Sequence, residues 1–176
     1  MSKVTNRVKS PEGIIGKAVL YAILMVVLVL LFRNIFLVTY VPSSSMEDTL
    51  EPGDLVFGTR YDAQEIERYD VMVFQAVDED VCYVKRVIGL PGETIKVENG
   101  KVYADGIELD DSFVKENMDS SGDGTFKVPE GSYFMMGDNR NHSSDSRFWE
   151  TPYVPAENMV GHAKVVFLPL QHFSVI

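Results

Sequence analysis

VCYVKRVIGL, residues 81–90, is the stretch on which the fold turns. Apart from the adjacent cations Lys85 and Arg86 it is apolar and rich in β-branched and aromatic side chains, the composition of a strand. Alternate side chains of a strand share a face, so Lys85 sides with Val81, Tyr83 and Val87, while Arg86 sides with Cys82, Val84 and Ile88. One of the two cations therefore leans on apolar neighbours, and parity leaves open which. Their chemistry differs. A guanidinium does not deprotonate in a protein. A lysine is neutral only about one time in a thousand at pH 7.4, but loses up to ~3–5 pKa units when stripped of water. Lys85 is the candidate base.

Working outward, 54–60 (DLVFGTR), 70–77 (DVMVFQAV), 93–106 (ETIKVENGKVYADG), 132–138 (SYFMMGD) and 162–170 (HAKVVFLPL) have the same character, separated by Gly, Pro, Asn and Asp. Asn99-Gly100 is a type I′ hairpin signal. The expectation is a mostly β, antiparallel domain. Residues 110–124, DDSFVKENMDSSGDG, read as an exposed loop or flap.

Ahead of these strands lies one long apolar run, IIGKAVLYAILMVVLVLLF at 14–32, whose helical length of about 28 Å matches a hydrocarbon core of ~30 Å. Lys17 and Arg33 mark its ends. Lys3, Arg7 and Lys9 precede it against the single acid Glu12, and Glu47, Asp48, Glu51 and Asp54 follow it. The positive-inside rule then divides the chain into a cytoplasmic tail (1–12), a transmembrane anchor (13–37) and an extracytoplasmic β-rich domain (38–176). Residues 35–38 are expected beside the bilayer. A cleaved signal peptide is the competing reading, but the run exceeds the roughly 7 to 15 apolar residues of such segments and no A-x-A site follows it.

Acidic residues outnumber Lys and Arg by 26 to 16 in this 176-residue chain, a net charge of −10 that argues against a nucleic-acid partner. Cys82 is the only cysteine, so no internal disulfide forms, and the three histidines lack metal-site spacing. No metal or organic cofactor and no obligate protein partner is inferred.

Two further segments bear on Lys85. VPSSSM, 41–46, places three hydroxyls just after the apolar run. A serine alcohol becomes a nucleophile only beside a base and an anion-stabilising pocket. MGDNRNHSSDSR, 136–147, is a dense polar turn in which Asp145 and Arg147 suit an ion pair and Asp138 and Asn139 a tight bend. In isolation each is a surface turn.

Taken in order after an N-terminal anchor, PSSSM, YVKRVIGLPGE and GDNRNHSSDSR resemble the boxes of type I signal peptidases, the membrane-bound serine/lysine proteases, from about residue 38 to the C-terminus. The resemblance implies that Ser45 is the nucleophile and Lys85 the general base. It makes Ser143 the hydroxyl that hydrogen-bonds and orients the lysine. Ser43 and the Ser45 amide are the oxyanion donors, and Asp138, Asn139, Asp145 and Arg147 are structural support. It further implies secretory preproteins as substrates, cleaved after small residues and docked as a strand against the backbones of 40–42 and 82–84, at the outer face of a lipid bilayer. Met46, Leu50, Tyr83 and Val84 are the pocket candidates. Two departures stand out: Asp48 replaces a common proline, and Tyr69 replaces a usual glycine before the "VMVF" strand.

Three rivals exist. A Ser-His-Asp enzyme would use His142, but G-x-S-x-G is absent. A binding-only relative has no need of both Ser45 and Lys85. A soluble self-cleaving serine/lysine repressor is disfavoured by the apolar run and by the lack of a basic helix-turn-helix segment.

Overall fold

The computed structural model describes residues 11–60 and 65–176, with side chains from Ile15 onward. The expected tail carrying Lys3, Arg7 and Lys9 lies outside the described residues. The chain divides into two units at Ile35/Phe36.

Helix α1 (Pro11–Ile35) is the first unit. Its apolar stretch Ile15–Ile35 has a mean hydropathy of 2.6 and buries none of it against protein. A helix apolar all round and unburied is suited to lipid.

The second unit is antiparallel β throughout its main sheet. Its strands are β1 (Phe36–Tyr40), β2 (Leu55–Arg60), β3 (Val71–Gln75), β4 (Cys82–Gly89), β9 (Ser132–Met136), β10 (Tyr153–Pro155), β11 (Met159–Leu168) and β12 (Ser174–Val175). They run in the order β1-β2-β11-β3-β4-β9-β10, with β12 on β11. A smaller sheet, ordered β7-β6-β5-β8, is built from β5 (Thr94–Glu98), β6 (Lys101–Ala104), β7 (Ile107–Glu108) and β8 (Gly124–Lys127). Asn99 and Gly100 join β5 to β6 with φ of 52° and 78°, the two positive angles a type I′ turn requires.

The smaller sheet packs on the main one through Ile88, Ile95, Val97, Val102, Phe134 and Met136. A second cluster gathers Val41, Met46, Leu50, Val56, Val71 and Val166, and a third Met72, Phe74, Val87, Met135 and Val154. β3 and β4 lie between them, which is why Val71–Phe74 is buried at every position rather than at alternate ones. β4 is covered on both faces only in its second half, where Lys85 and Val87–Gly89 are buried.

One boundary differs from the sequence reading. Residues 36 and 37, expected in the anchor, belong to the β unit: β1 begins at Phe36, pairs with β2 along its whole length, and buries Leu37 to 5% exposure. Gly58 on β2 and Gly161 on β11 make this seat, because a Cβ at either would meet the Leu37 side chain. Apolar character runs unbroken from helix into strand, so hydropathy alone could not divide them.

Leu37→Ala is therefore expected to destabilise the β domain by about 2–4 kcal/mol. Urea unfolding followed by Trp149 fluorescence checks this; an unchanged midpoint would return Leu37 to the lipid.

Candidate active site

The turn between β1 and β2 carries the three serines. It is pinched at its base by Val41 N–H donating to Asp54 O (2.9 Å) and Gly53 N–H donating to Val41 O (2.9 Å). One helical turn follows, with Glu47 N–H on Ser44 O (3.0 Å) and Leu50 N–H on Met46 O (2.7 Å). Met46 (1% exposed) and Leu50 (0%) point into the core and anchor this turn, leaving Ser43 exposed and Ser45 at 9%. Asp48 closes it at φ 81°. Proline, locked near −65°, could not adopt that angle, so the aspartate sets a backbone a proline would forbid.

Lys85 sits mid-strand on β4 opposite Met72 of β3 and is 4% exposed. Its Nζ lies 2.5 Å from Ser45 Oγ and 6.0 Å from the centre of the Tyr83 ring. Burial lowers its pKa to about 8; Asp145 and Asp138 oppose the shift and Arg147 adds to it. Parity left the buried cation undecided, and both are accommodated. Arg86, on the opposite face, forks onto Asp138 (Nε–Oδ1 2.9 Å, Nη2–Oδ2 2.6 Å).

The polar turn after β9 joins these parts. Asn139 donates from its backbone to Ser45 O (3.2 Å) and from Nδ2 to Ser44 O (3.0 Å) and Glu47 Oε2 (3.2 Å). Asp138 also accepts from the Thr49 hydroxyl (2.5 Å). Asp145 and Arg147 form the expected pair, bidentate at 2.8 and 2.9 Å with fully buried side chains. Asp145 further accepts from Gly137 N–H (3.0 Å). Gly137 is required by close approach, since a Cβ there would collide with Ser45 O and Ser143 Oγ.

Ser43 Oγ lies 3.4 Å from Ser45 Oγ. Ser143 departs from expectation. Its Oγ is buried but has no hydrogen-bond partner among the described residues, so the bond to Lys85 is not made. The amine's short contact is spent on Ser45, and the Ser143 side chain takes up the space that a Cβ at Gly137 would need.

A cleft of about 510 Å³ opens over Ser45 and Lys85, walled by Tyr40, Val41 and Pro42 on one side and by Val81, Cys82, Tyr83 and Val84 on the other. Met46, Tyr83 and Val84 line it as expected, whereas Leu50 does not: its side chain is in the core beneath the turn. The i to i+4 spacing in that turn aims both Met46 and Leu50 inward, and only Met46 reaches the cleft. His142 is exposed and also lines the cleft; the contact on Ser45 Oγ comes from Lys85. Thr49, Arg86 and the clamping role of Asn139 were not anticipated. A cation opposite Lys85 on a covered strand signalled a missing carboxylate, but not which one.

A family model described as signal peptidase, peptidase S26, matches residues 14–168. The chain is 39% identical over 169 residues to the probable signal peptidase I-1 of Synechocystis sp., covering 86% of this chain and 83% of that protein. It is 36% identical over 166 residues to signal peptidase I T of Bacillus subtilis, with 88% and 84% covered. A crystal structure of a signal peptidase I from Enterococcus faecalis superposes with a TM-score of 0.50 at 30% identity, over 57% of this chain and 97% of that one.

A lysine held partly neutral by burial makes stability depend on pH. Its folded pKa, about 8, lies below the unfolded 10.5, so between those values the unfolded chain binds more protons and stability rises with pH. Below pH 8 the difference costs about 3 kcal/mol. Lys85→Met is expected to be more stable than the parent at pH 7, with the gap closing toward pH 10.5. Denaturant titrations at several pH values test this, and a gap independent of pH contradicts it.

Proposed function

Because the chain belongs to the signal peptidase family, peptidase S26, we infer that it is a serine endopeptidase that removes signal peptides from secretory preproteins. We assign its dyad to Ser45 and Lys85. The observation that carries this is the 2.5 Å contact between an alcohol and an amine that is 4% exposed.

In the neutral form Lys85 Nζ accepts the Ser45 hydroxyl proton as Oγ attacks the substrate carbonyl. The developing oxyanion takes hydrogen bonds from Ser43 Oγ and the Ser45 N–H. As the C–N bond breaks, Lys85 returns the proton to the leaving amine, and an acyl-enzyme on Ser45 remains. Water entering from the cleft gives its proton to Lys85 and attacks the ester, and the Ser45 oxygen recovers a proton from Lys85 as the product acid departs. Asp138, Asn139, Asp145 and Arg147 hold the turn that fixes both partners. Ser143, with an unused hydroxyl, is assigned to orient the protonated amine during the cycle.

Substrate docking follows from unpaired backbone. β1 is the edge of its sheet, and the β4 ladder with β9 begins only at Arg86, so the 82–84 edge facing β9 has no strand partner among the described residues. An extended peptide laid between 40–42 and 82–84 gains main-chain hydrogen bonds on both sides. Met46, Tyr83 and Val84 then offer shallow apolar pockets suited to small side chains. α1 would anchor the enzyme in the bilayer, with its N-terminal tail cytoplasmic and the β domain outside, where a signal segment emerges.

Full-length enzyme incubated with a preprotein carrying an A-x-A site is expected to cleave it, and Ser45→Ala and Lys85→Ala to lose turnover by at least 10³-fold. Persistent cleavage in either variant removes the dyad assignment. For the parent, kcat/KM should rise about tenfold per pH unit below pH 8 and level off above it, as the free amine becomes neutral. A limb centred near pH 6.5 would instead implicate a histidine.

A further inference from the structure

Residues 110–119, within the 110–124 segment expected as an exposed loop, form a strap that reaches the serine turn, β4 and the polar turn after β9. Lys115 pairs with Asp48 of the serine turn. Asp111 Oδ1 lies 2.9 Å from Nη2 of Arg140, which is 3% exposed. Asn141 Nδ2 donates to Asn117 O (3.1 Å), its Oδ1 accepts from Asp119 N–H (2.9 Å), and Met118 meets Arg147 (3.2 Å).

At the centre is Phe113. Its ring centre lies 4.3 Å from the Arg86 guanidinium carbon and 5.7 Å from that of Arg140, within range of cation–π attraction. The ring is held edge-on by Tyr69 at 5.7 Å. Tyr69 adopts φ 77°, a conformation strained for a bulky side chain. It is fixed there by its N–H on Val87 O (2.8 Å), by its carbonyl accepting from Arg86 Nη1 (2.8 Å), and by its hydroxyl accepting from Asp110 N–H (3.1 Å). Tyr69 thus ties the strap to Arg86, the neighbour of the proposed base.

We propose that Phe113, held by Tyr69, is a positioning residue of the Ser45–Lys85 site: by covering the Arg86 guanidinium it keeps Arg86 forked on Asp138, and so keeps β4 and the serine turn in reacting register. The proposal rests on the dyad assignment above. Its physical basis is the attraction of the Phe113 ring face for the Arg86 guanidinium, added to the screening its bulk provides. The Arg86–Asp138 pair holds β4 to the turn that clamps Ser44 and Ser45, and a charge pair opened to water loses most of its hold. An aliphatic residue fills the space beside Arg86 but offers no π face.

The test compares Phe113→Leu and Phe113→Tyr in full-length enzyme, with thermal midpoints measured alongside turnover of the A-x-A preprotein. Phe113→Leu is expected to lower kcat about tenfold with KM within twofold, and Phe113→Tyr to restore the parent value. Full kcat in Phe113→Leu, an effect confined to KM, or an equal loss in both variants overturns the proposal. Should Phe113→Leu fail to fold, Tyr69→Phe, which removes only the hydroxyl that holds Asp110, is expected to lower kcat in the same direction, and an unchanged kcat there overturns it too. Ser45→Ala run in parallel reports on the dyad alone: loss of turnover there with full kcat in Phe113→Leu sinks only this inference.

Discussion

The amine of Lys85 is kept from water, and the rest of the β domain can be understood as the means of doing so. A lone buried ammonium is unfavourable by several kcal/mol, and a lysine in that position gives up its proton readily. Covering it takes two layers. β4 is backed on one face by the cluster around Met72, Phe74 and Val87 and on the other by Ile88, Phe134 and the smaller sheet. The carboxylates nearest the site would restore the lysine's charge if left alone, and each has its own guanidinium: Asp145 has Arg147 and Asp138 has Arg86. Their neutralisation lets burial dominate the pKa.

The same two carboxylates also do the mechanical joining. Asp138 and Asn139, in the turn after β9, bind the serine turn through Thr49, Ser44 and Ser45, while Asp145 ties Gly137 to Arg147. Two segments far apart in sequence meet at one glycine, whose missing side chain lets a serine carbonyl and a serine hydroxyl come close. The arrangement is rigid because its polar members are almost all satisfied. In this turn Ser143 Oγ and Arg140 Nε and Nη1 are the exceptions, buried without a hydrogen-bond partner among the described residues.

Asp48 and Tyr69, two residues that the sequence reading set apart from the family pattern, are both in left-handed backbone conformation, and both touch the strap at 110–119. The strap's sequence gave no hint of this, because a polar run with one phenylalanine reads the same whether it waves in solvent or folds over an arginine. Its ion pairs, Lys115 to Asp48 and Arg140 to Asp111, join residues whose only shared sign in the sequence is opposite charge.

Local pattern was enough to decide the antiparallel β class, the lipid-suited helix, the Asn99-Gly100 turn, and the candidacy of Lys85 as the one of the two cations in 81–90 able to lose its charge. Those features depend on neighbours in the chain: alternation, run length, and the backbone angles that glycine and asparagine tolerate. Contacts across long separations were beyond it. The seating of Leu37 against Gly58 and Gly161, the turning of Leu50 away from the cleft, the partner of Arg86, and the absence of a bond between Ser143 and Lys85 all depend on which surfaces meet when the sheets close. Burial and distance belong to the packed chain, and only the tertiary structure brings an alcohol and an amine forty residues apart into contact without water between them.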